Sequence, residues 1–342
     1  MGKPSKYRQK QHGGIVKSFL LFFLFLIFIG GAVAAGAAWK IHDMITRAGP
    51  LPEEKIVWVK SGMGVNSISQ LLLSEEAIDS ELAFKITVRV QQVQSSLQAG
   101  EYLIPARSSV DDIVQILSEG NPYLRNITFP EGITTTQALK AVQENDKLSG
   151  EITIKPGEGE LLPETYAFVR GDKRDDIIKR MQSAQDKLVD DLWENRAADL
   201  PIDSKDEAII LASIVEKETG VDGERVKVAS VFINRLRKGM RLQSDPTVIY
   251  GITQGEPLGR GLRVSELQGE TEYNTYVIRG LPPTPIANPG TDAIAAVLNP
   301  AETDYYYFVA DGTGGHAFSR TLAEHNANVR IWRQIERERN SN

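Results

Sequence analysis

The sequence predicts an α+β protein carried on a single N-terminal transmembrane helix. Three observations lead there. Residues 18–39, SFLLFFLFLIFIGGAVAAGAAW, contain no charge. Beyond them, short alternating strand patterns are each followed by an amphipathic helical pattern, and from about residue 175 helical periodicity dominates. The chain has 342 residues, 41% of them hydrophobic and 25% charged, enough for roughly two folded domains with cores of their own.

The elements follow in order. Residues 1–17 form a basic tail with Lys3, Lys6, Arg8, Lys10 and Lys17 and no acid. The uncharged run after it extends about 33 Å as a helix, enough to cross a bilayer core. Positive charge on the short N-terminal side places that side in the cytoplasm and the rest of the chain outside. A cleaved signal peptide is the alternative, because AVAAGAA offers small residues at suitable spacing, but signal cores usually run only about 7–15 residues. Residues 40–54, ending in the Pro/Gly-broken RAGPLPEE, read as a tether.

KIVWV (55–59) alternates as a strand does, and GVNSISQLLLSEEAI (64–78) reads as a helix. LIPARSSVDDIVQILSEG (103–120) repeats the plan, matching Val65 with Val110, Ile68 with Ile113, Gln70 with Gln115 and Leu72 with Leu117. ITFPEGITTTQALKAV (127–142) is a weaker third copy, so residues 55–153 are expected to form a small α+β module. Coincidental similarity among ordinary strand-helix units is the other reading. IKPGEGELLP (154–163) marks the expected junction, and residues 154–339 the second domain. There, 175–196 reads as a long amphipathic helix. The next helix starts with Ser204 and Glu207 at capping-box spacing. A helix comes next over GERVKVASVFINRLRKG, then loops, a buried strand and turn in YYYFVADG (305–312), and a terminal helix over 321–339.

The stretch LASIVEKETG (211–220) carries the chemistry. At about 100° per residue, with Leu211 at zero, Val215 and Ile214 lie roughly 40° and 60° to either side. Glu218 falls about 20° away, inside this apolar stripe, whereas Glu216 lies about 140° round the helix, solvated or paired. Burial disfavours the charged carboxylate, and so does the helix C-terminus that Gly220 sets. Both favour a protonated acid near neutral pH, the state that protonates a leaving oxygen in glycoside cleavage. A buried glutamate satisfied by an arginine or by backbone amides is the alternative.

Three loop segments could complete a site: LQSDPTVIYG (242–251), EYNTYVIRGLPPTPIANPG (272–290) and DGTGGHAFSRT (311–321). Gln243, Asp245, Asn274 and Thr275 offer polar groups, and Tyr273 and Tyr276 offer faces for a sugar ring, although each could equally be a turn or cap residue. SDP could be a cap before a Pro-initiated helix. The basic run INRLRKGMRL, with Arg235, Arg237, Lys238 and Arg241, could meet an anionic polymer or form a solvated helix end. Other chemistries are poorly supplied. There is no cysteine, no G-x-S-x-G elbow, and His316 and His325 match no zinc-protease spacing, so no metal and no cofactor is expected. With five basic residues and no acid in the tail, the remainder of a chain of formal charge −6 carries −11 and is unsuited to nucleic acid.

Together ASIVEKET, VASVFINRLRKGMRLQSDPTVIYG, YNTYVIRGLPPTPIANPG and YYYFVADGTGGHAFSRTLAEHN, with LLPETYAF more loosely, resemble the YceG-like family of endolytic murein transglycosylases. The resemblance covers nearly the whole chain. It implies a LysM-like α+β subdomain before a mixed α/β catalytic domain with a lysozyme-like catalytic helix, and Glu218 as the family's catalytic glutamate. It further implies cleavage within peptidoglycan glycan strands to leave 1,6-anhydro-N-acetylmuramic acid ends. Penicillin-binding synthases of the elongation machinery would be partners, and the inner membrane the location.

Overall fold

The computed structural model describes residues 13–221 and 223–340. Helix α1 (Gly13–Thr46) has no Gly–Pro interruption before Gly49–Pro50, so it runs past the expected end at Trp39. Within it, Lys17–Thr46 is long and apolar enough to cross a membrane. The first residues assigned to a tether are therefore helical, and Met44 and Ile45 pack on the core of the first unit.

The chain divides into two compact units, Met1–Tyr123 and Leu124–Asn342. In the first, β1 (Lys55–Val59) pairs antiparallel with β2 (Gly100–Ile104), Lys55 opposite Ile104 and Val59 opposite Gly100. Between the strands lie α2 (Val65–Ser74) and α3 (Glu81–Val90), and α4 (Val110–Glu119) comes after β2. The repeat is visible in the packing: Ile68, Leu72, Ile113 and Leu117 all reach one core, while Gln70 and Gln115 both face solvent. Helix α3 has no counterpart in the repeat pattern. Its Ser80 accepts the Ala83 N–H at 3.2 Å as a cap, and Phe84 and Val88 fill the same core.

In the second unit β3 (Arg125–Thr128) pairs antiparallel with β4 (Thr165–Phe168), and α5 (Thr135–Glu144) and α6 (Arg174–Glu194) pack on them around Phe129, Val142, Ile177, Ile178 and Met181. The third strand-helix copy thus belongs to the second unit. The chain divides after Tyr123, and not at 153/154, because the partner of β3 is β4. The Gly/Pro-rich segment 154–163 lies inside this unit, where Gly159 adopts φ +84° and a Cβ would come within 2.6 Å of Pro285 and 2.8 Å of Ile209. Gly159 reflects close passage between elements.

A second core of the same unit gathers α7 (Lys205–Glu218), α8 (Arg225–Arg237) and α11 (Thr291–Leu298) around Leu211, Ile214, Val215, Phe232, Ile294 and Val297. The short helices α9 (Asp245–Thr253) and α10 (Val264–Leu267) lie in the long connection between α8 and α11. The hairpin β5 (Tyr307–Ala310) and β6 (His316–Ser319) precedes α12 (Leu322–Asn340). Its strands are mostly half-buried, not fully buried as the apolar run suggests, and His316 opens β6.

Candidate active site

Helix α7 begins at Ser204, whose hydroxyl accepts the Glu207 N–H at 3.2 Å; the Glu207 carboxylate takes the Asp203 N–H at 2.6 Å, so the expected capping box is shifted by one residue. The helix ends at Glu218 because Thr219 turns to an extended conformation, φ −148° and ψ 130°. Leu211, Ile214 and Val215 are all fully buried, and Glu218, further along the same face, is half-buried. Its Oε1 accepts a hydrogen bond of 2.5 Å from the Ser244 hydroxyl. Burial pushes the Glu218 carboxyl up to about 6, and nearby Asp245 adds to the rise. The Ser244 bond and the positive fields of His316 and Arg235 oppose it. At neutral pH such a group is mostly ionised, with roughly a tenth of molecules holding the proton, a smaller share than helix position alone suggests.

Glu216, two residues earlier, also has a buried side chain, but a paired one. Its side chain is 5% exposed and pairs with Arg225 at 3.3 Å, while its other oxygen accepts the Gly290 N–H at 3.0 Å. It is paired, not solvated.

The loops named from sequence divide into contacts and scaffold. Ser244 is the N-cap residue of α9, with Pro246 in the first turn, as SDP suggested. Its side chain does not cap the helix, however, but reaches across to Glu218. Gln243 is exposed and adopts φ +51°, and its N–H donates to Thr275 O at 3.1 Å. Asp245 is exposed and accepts the Tyr276 hydroxyl at 2.6 Å. Tyr276 is itself raised above its usual range by burial and by the bond to Asp245.

Asn274 and Thr275 are fully buried, which removes them from contact with a polymer and makes them supports. Asn274 donates to Glu266 O, Leu267 O and Gly269 O. The Thr275 hydroxyl accepts the Ser244 N–H at 2.9 Å and lies 2.8 Å from the Thr247 hydroxyl. Tyr273 is half-buried, 2.8 Å from the Thr284 hydroxyl, and packs against Tyr250 at 5.1 Å between ring centroids. It too belongs more to the wall than to the opening. The structure therefore brings Glu218, Ser244, Asp245 and Tyr276 together, with Gln243 at the edge.

Three further groups near the acid have other roles than the sequence suggests. Ser244 was hidden by its cap-like position before Asp-Pro. Arg235 is only 7% exposed and donates to Tyr306 O and Leu242 O, so it is neither a solvated helix end nor a polymer contact; Arg237, Lys238 and Arg241 are the exposed members of that run. His316 is held through Nδ1, 2.7 Å from the Glu224 carboxylate, and through its N–H, 2.9 Å from it. Burial raises Glu224, but these bonds bring its carboxyl below the usual range. Among the described residues no cluster of three or more histidines and carboxylates could hold a metal ion.

The profile of the YceG-like family matches residues 57–331, a span that includes the α7 carboxyl and every loop around it. The chain belongs to the YceG-like family. A protein of Bacillus subtilis named endolytic murein transglycosylase is 34% identical over 304 residues, covering 78% of this chain and 82% of that protein. A Streptococcus pneumoniae protein of the same name is 26% identical over 364 aligned residues; the alignment takes in 92% of this chain and 65% of that longer protein. The crystal structure of a yceG-like protein from Listeria monocytogenes is 30% identical and superposes with a TM-score of 0.50, over 80% of this chain and 98% of that one.

Proposed function

We propose that this YceG-like protein is a membrane-anchored endolytic peptidoglycan transglycosylase in which Glu218 is the catalytic acid and base. The observation that carries the reading is the Glu218 carboxyl: it ends a buried helix, it is pushed up to about 6 by burial, and the Ser244 hydroxyl orients it. The names of the relatives agree with it.

One carboxyl performs two steps. Protonated Glu218 gives its proton to the oxygen between N-acetylmuramic acid and N-acetylglucosamine as the C1–O bond breaks. The carboxylate then takes the proton of the muramoyl C6 hydroxyl, whose oxygen closes on C1. The proton returns to Glu218, no water is consumed, and a 1,6-anhydro end results. The tethered hydroxyl outcompetes water through its high effective concentration. Asp245 and Tyr276 flank this carboxyl, and with Gln243 they offer the polar contacts to the strand.

The topology follows the charge of the tail: a cytoplasmic N-terminus, α1 in the inner membrane, and both units outside, acting on nascent strands beside the penicillin-binding synthases and terminating their elongation. The first unit, LysM-like in this reading, positions polymer. A non-catalytic wall-binding scaffold would share that placement but not the need for Glu218.

One observation favours a second reading. The Asp245 carboxylate raises Glu218 from close by, and a second carboxylate that activates water would make the protein a muramidase. Mass spectrometry of isolated glycan treated with the detergent-solubilised chain separates the possibilities. The expected product is one water lighter than a reducing end and is absent with Glu218→Gln. Products with reducing ends would establish the muramidase, and unchanged glycan would leave only the scaffold.

A further inference from the structure

Arg235 is a buried cation whose direct hydrogen-bond partners are neutral. Among the described residues no carboxylate lies within ion-pair distance of it, although a guanidinium 7% exposed is ordinarily paired. Neutral partners hold it instead. Nε donates to Tyr306 O at 2.7 Å, Nη1 donates to Leu242 O, and the guanidinium stacks 5.4 Å from the Tyr307 ring centroid. These contacts fix the plane of the fork, which a lysine could not reproduce.

The carbonyl that the fork grips leads to the site. Leu242 precedes Gln243, which bends through φ +51°, and Ser244, which donates to Glu218 Oε1. The far side of this turn is tied to Thr275, through the Gln243 N–H to its carbonyl and the Ser244 N–H to its hydroxyl. Arg235 and Thr275 thus clamp the three residues that carry the Ser244 hydroxyl to the acid.

We propose that Arg235 is a positioning residue for Glu218, holding the turn that delivers the Ser244 hydroxyl and supplying the unpaired positive charge that steadies the carboxylate left after proton transfer. This rests on the reading of Glu218 as the acid. The charged groups facing Glu218 are Asp245 from α9, His316 from β6 and Arg235 from α8, with Tyr276 nearby; those facing Arg235 are Glu218, Tyr276, Tyr307 and His325. Arg235 is the cation joined to Glu218 through a continuous run of hydrogen bonds and three residues of backbone.

The test uses the full chain in detergent with Arg235→Gln, Arg235→Lys, Ser244→Ala and the Lys/Ala double variant. Two readouts are taken: the titration of the Glu218 side-chain carboxyl by carbon NMR, and the pH profile of kcat/KM on isolated glycan. In Arg235→Gln the carboxyl midpoint should rise by about half a pH unit or more, because a nearby positive charge is gone. In Arg235→Lys the midpoint should move less while the rate falls about tenfold or more through a loosened turn. Adding Ser244→Ala to Arg235→Lys should cost little further, since both act through one hydroxyl. An unchanged midpoint in Arg235→Gln, or fully additive losses in the double variant, would overturn the proposal. Should Arg235→Gln not fold, the Lys/Ala cycle decides. The carboxyl titration needs no turnover, so failure of the wild-type chain to cut glycan would refute the transglycosylase reading and leave the coupling between Arg235 and Glu218 separately measured.

Discussion

Glu216 and Glu218 are two positions apart on one helix, and their fates follow from the two directions in which they point. Glu218 has its carboxyl pushed from 4.5 up to about 6, so the folded protein binds that proton more tightly than the unfolded chain does. The resulting stability is fully present below about pH 4.5 and is lost as pH rises through about 6, amounting to at most about 2 kcal/mol. Glu218→Gln never carries the charge, so its urea midpoint should exceed that of wild type at pH 8 and match it at pH 4. In the wild type kcat/KM should fall as pH rises beyond about 6, because the free enzyme must hold the proton to act as the acid. A profile flat from pH 5 to 8 would remove Glu218 from that role. Glu216→Gln should behave in the reverse way. It weakens the pairing with Arg225, which is itself 11% exposed, and should destabilise the protein by about 1–3 kcal/mol while leaving activity per folded molecule nearly unchanged. A dead but fully stable Glu216 variant would reverse the assignment of the two glutamates.

The elements legible in the sequence were those whose pattern is local. The 3.6-residue stripe on α7, the long amphipathic α6 and the twofold strand-helix repeat of the first unit all came from spacing, and the buried positions of the repeat match pair by pair. Pairing over distance was not legible. That β3 takes β4 as its partner, moving the division of the chain to Tyr123, depends on contacts about 40 residues apart that no periodicity encodes. The same holds inside the site. Asn274 and Thr275 look like surface polar residues in a loop, but their side chains are consumed by the backbone they hold, and Arg235 is concealed in a run of exposed basic residues. Asn288 is another concealed support. Fully buried, it accepts the Leu161 N–H at 3.0 Å and donates to Ile133 O at 3.0 Å and to Thr135 Oγ1 at 3.1 Å, joining the start of α5, the 154–163 segment and the lead-in to α11. Asn288→Ala strands those groups away from water and should cost about 2–4 kcal/mol in chemical denaturation. Gly159→Ala, which forces a side chain into φ +84° and against Pro285 and Ile209, should cost at least about 1 kcal/mol. A loss below half a kilocalorie in both variants would mean that the segment is not held as described.

At the scale of the molecule, the two units keep separate cores. The buried residues of the first cluster run from Leu51 to Leu117, whereas the two clusters of the second begin at Ile127, and no buried core residue is shared. Every group that touches or tunes Glu218 (Ser244, Asp245, Arg235 and His316) comes from the second unit. A chain of residues 124–342 should therefore fold alone, with a single cooperative melt, and should cut short soluble glycan with kcat/KM close to that of the full protein. In the proposed function, the first unit and α1 contribute where the substrate is large and attached. Anchoring confines the enzyme to the membrane surface, and a polymer-holding unit raises the local concentration of strand at the site, an effect that short free chains do not report. The excised second unit should accordingly lose much more activity on intact, membrane-associated wall material than on soluble fragments. The measurement is the ratio of the two rates for the full chain and for residues 124–342. An equal loss on both substrates would show that the first unit supports the fold of the second, and failure of 124–342 to melt cooperatively would show it directly. Activity undiminished on both would leave the first unit with no part in handling the strand.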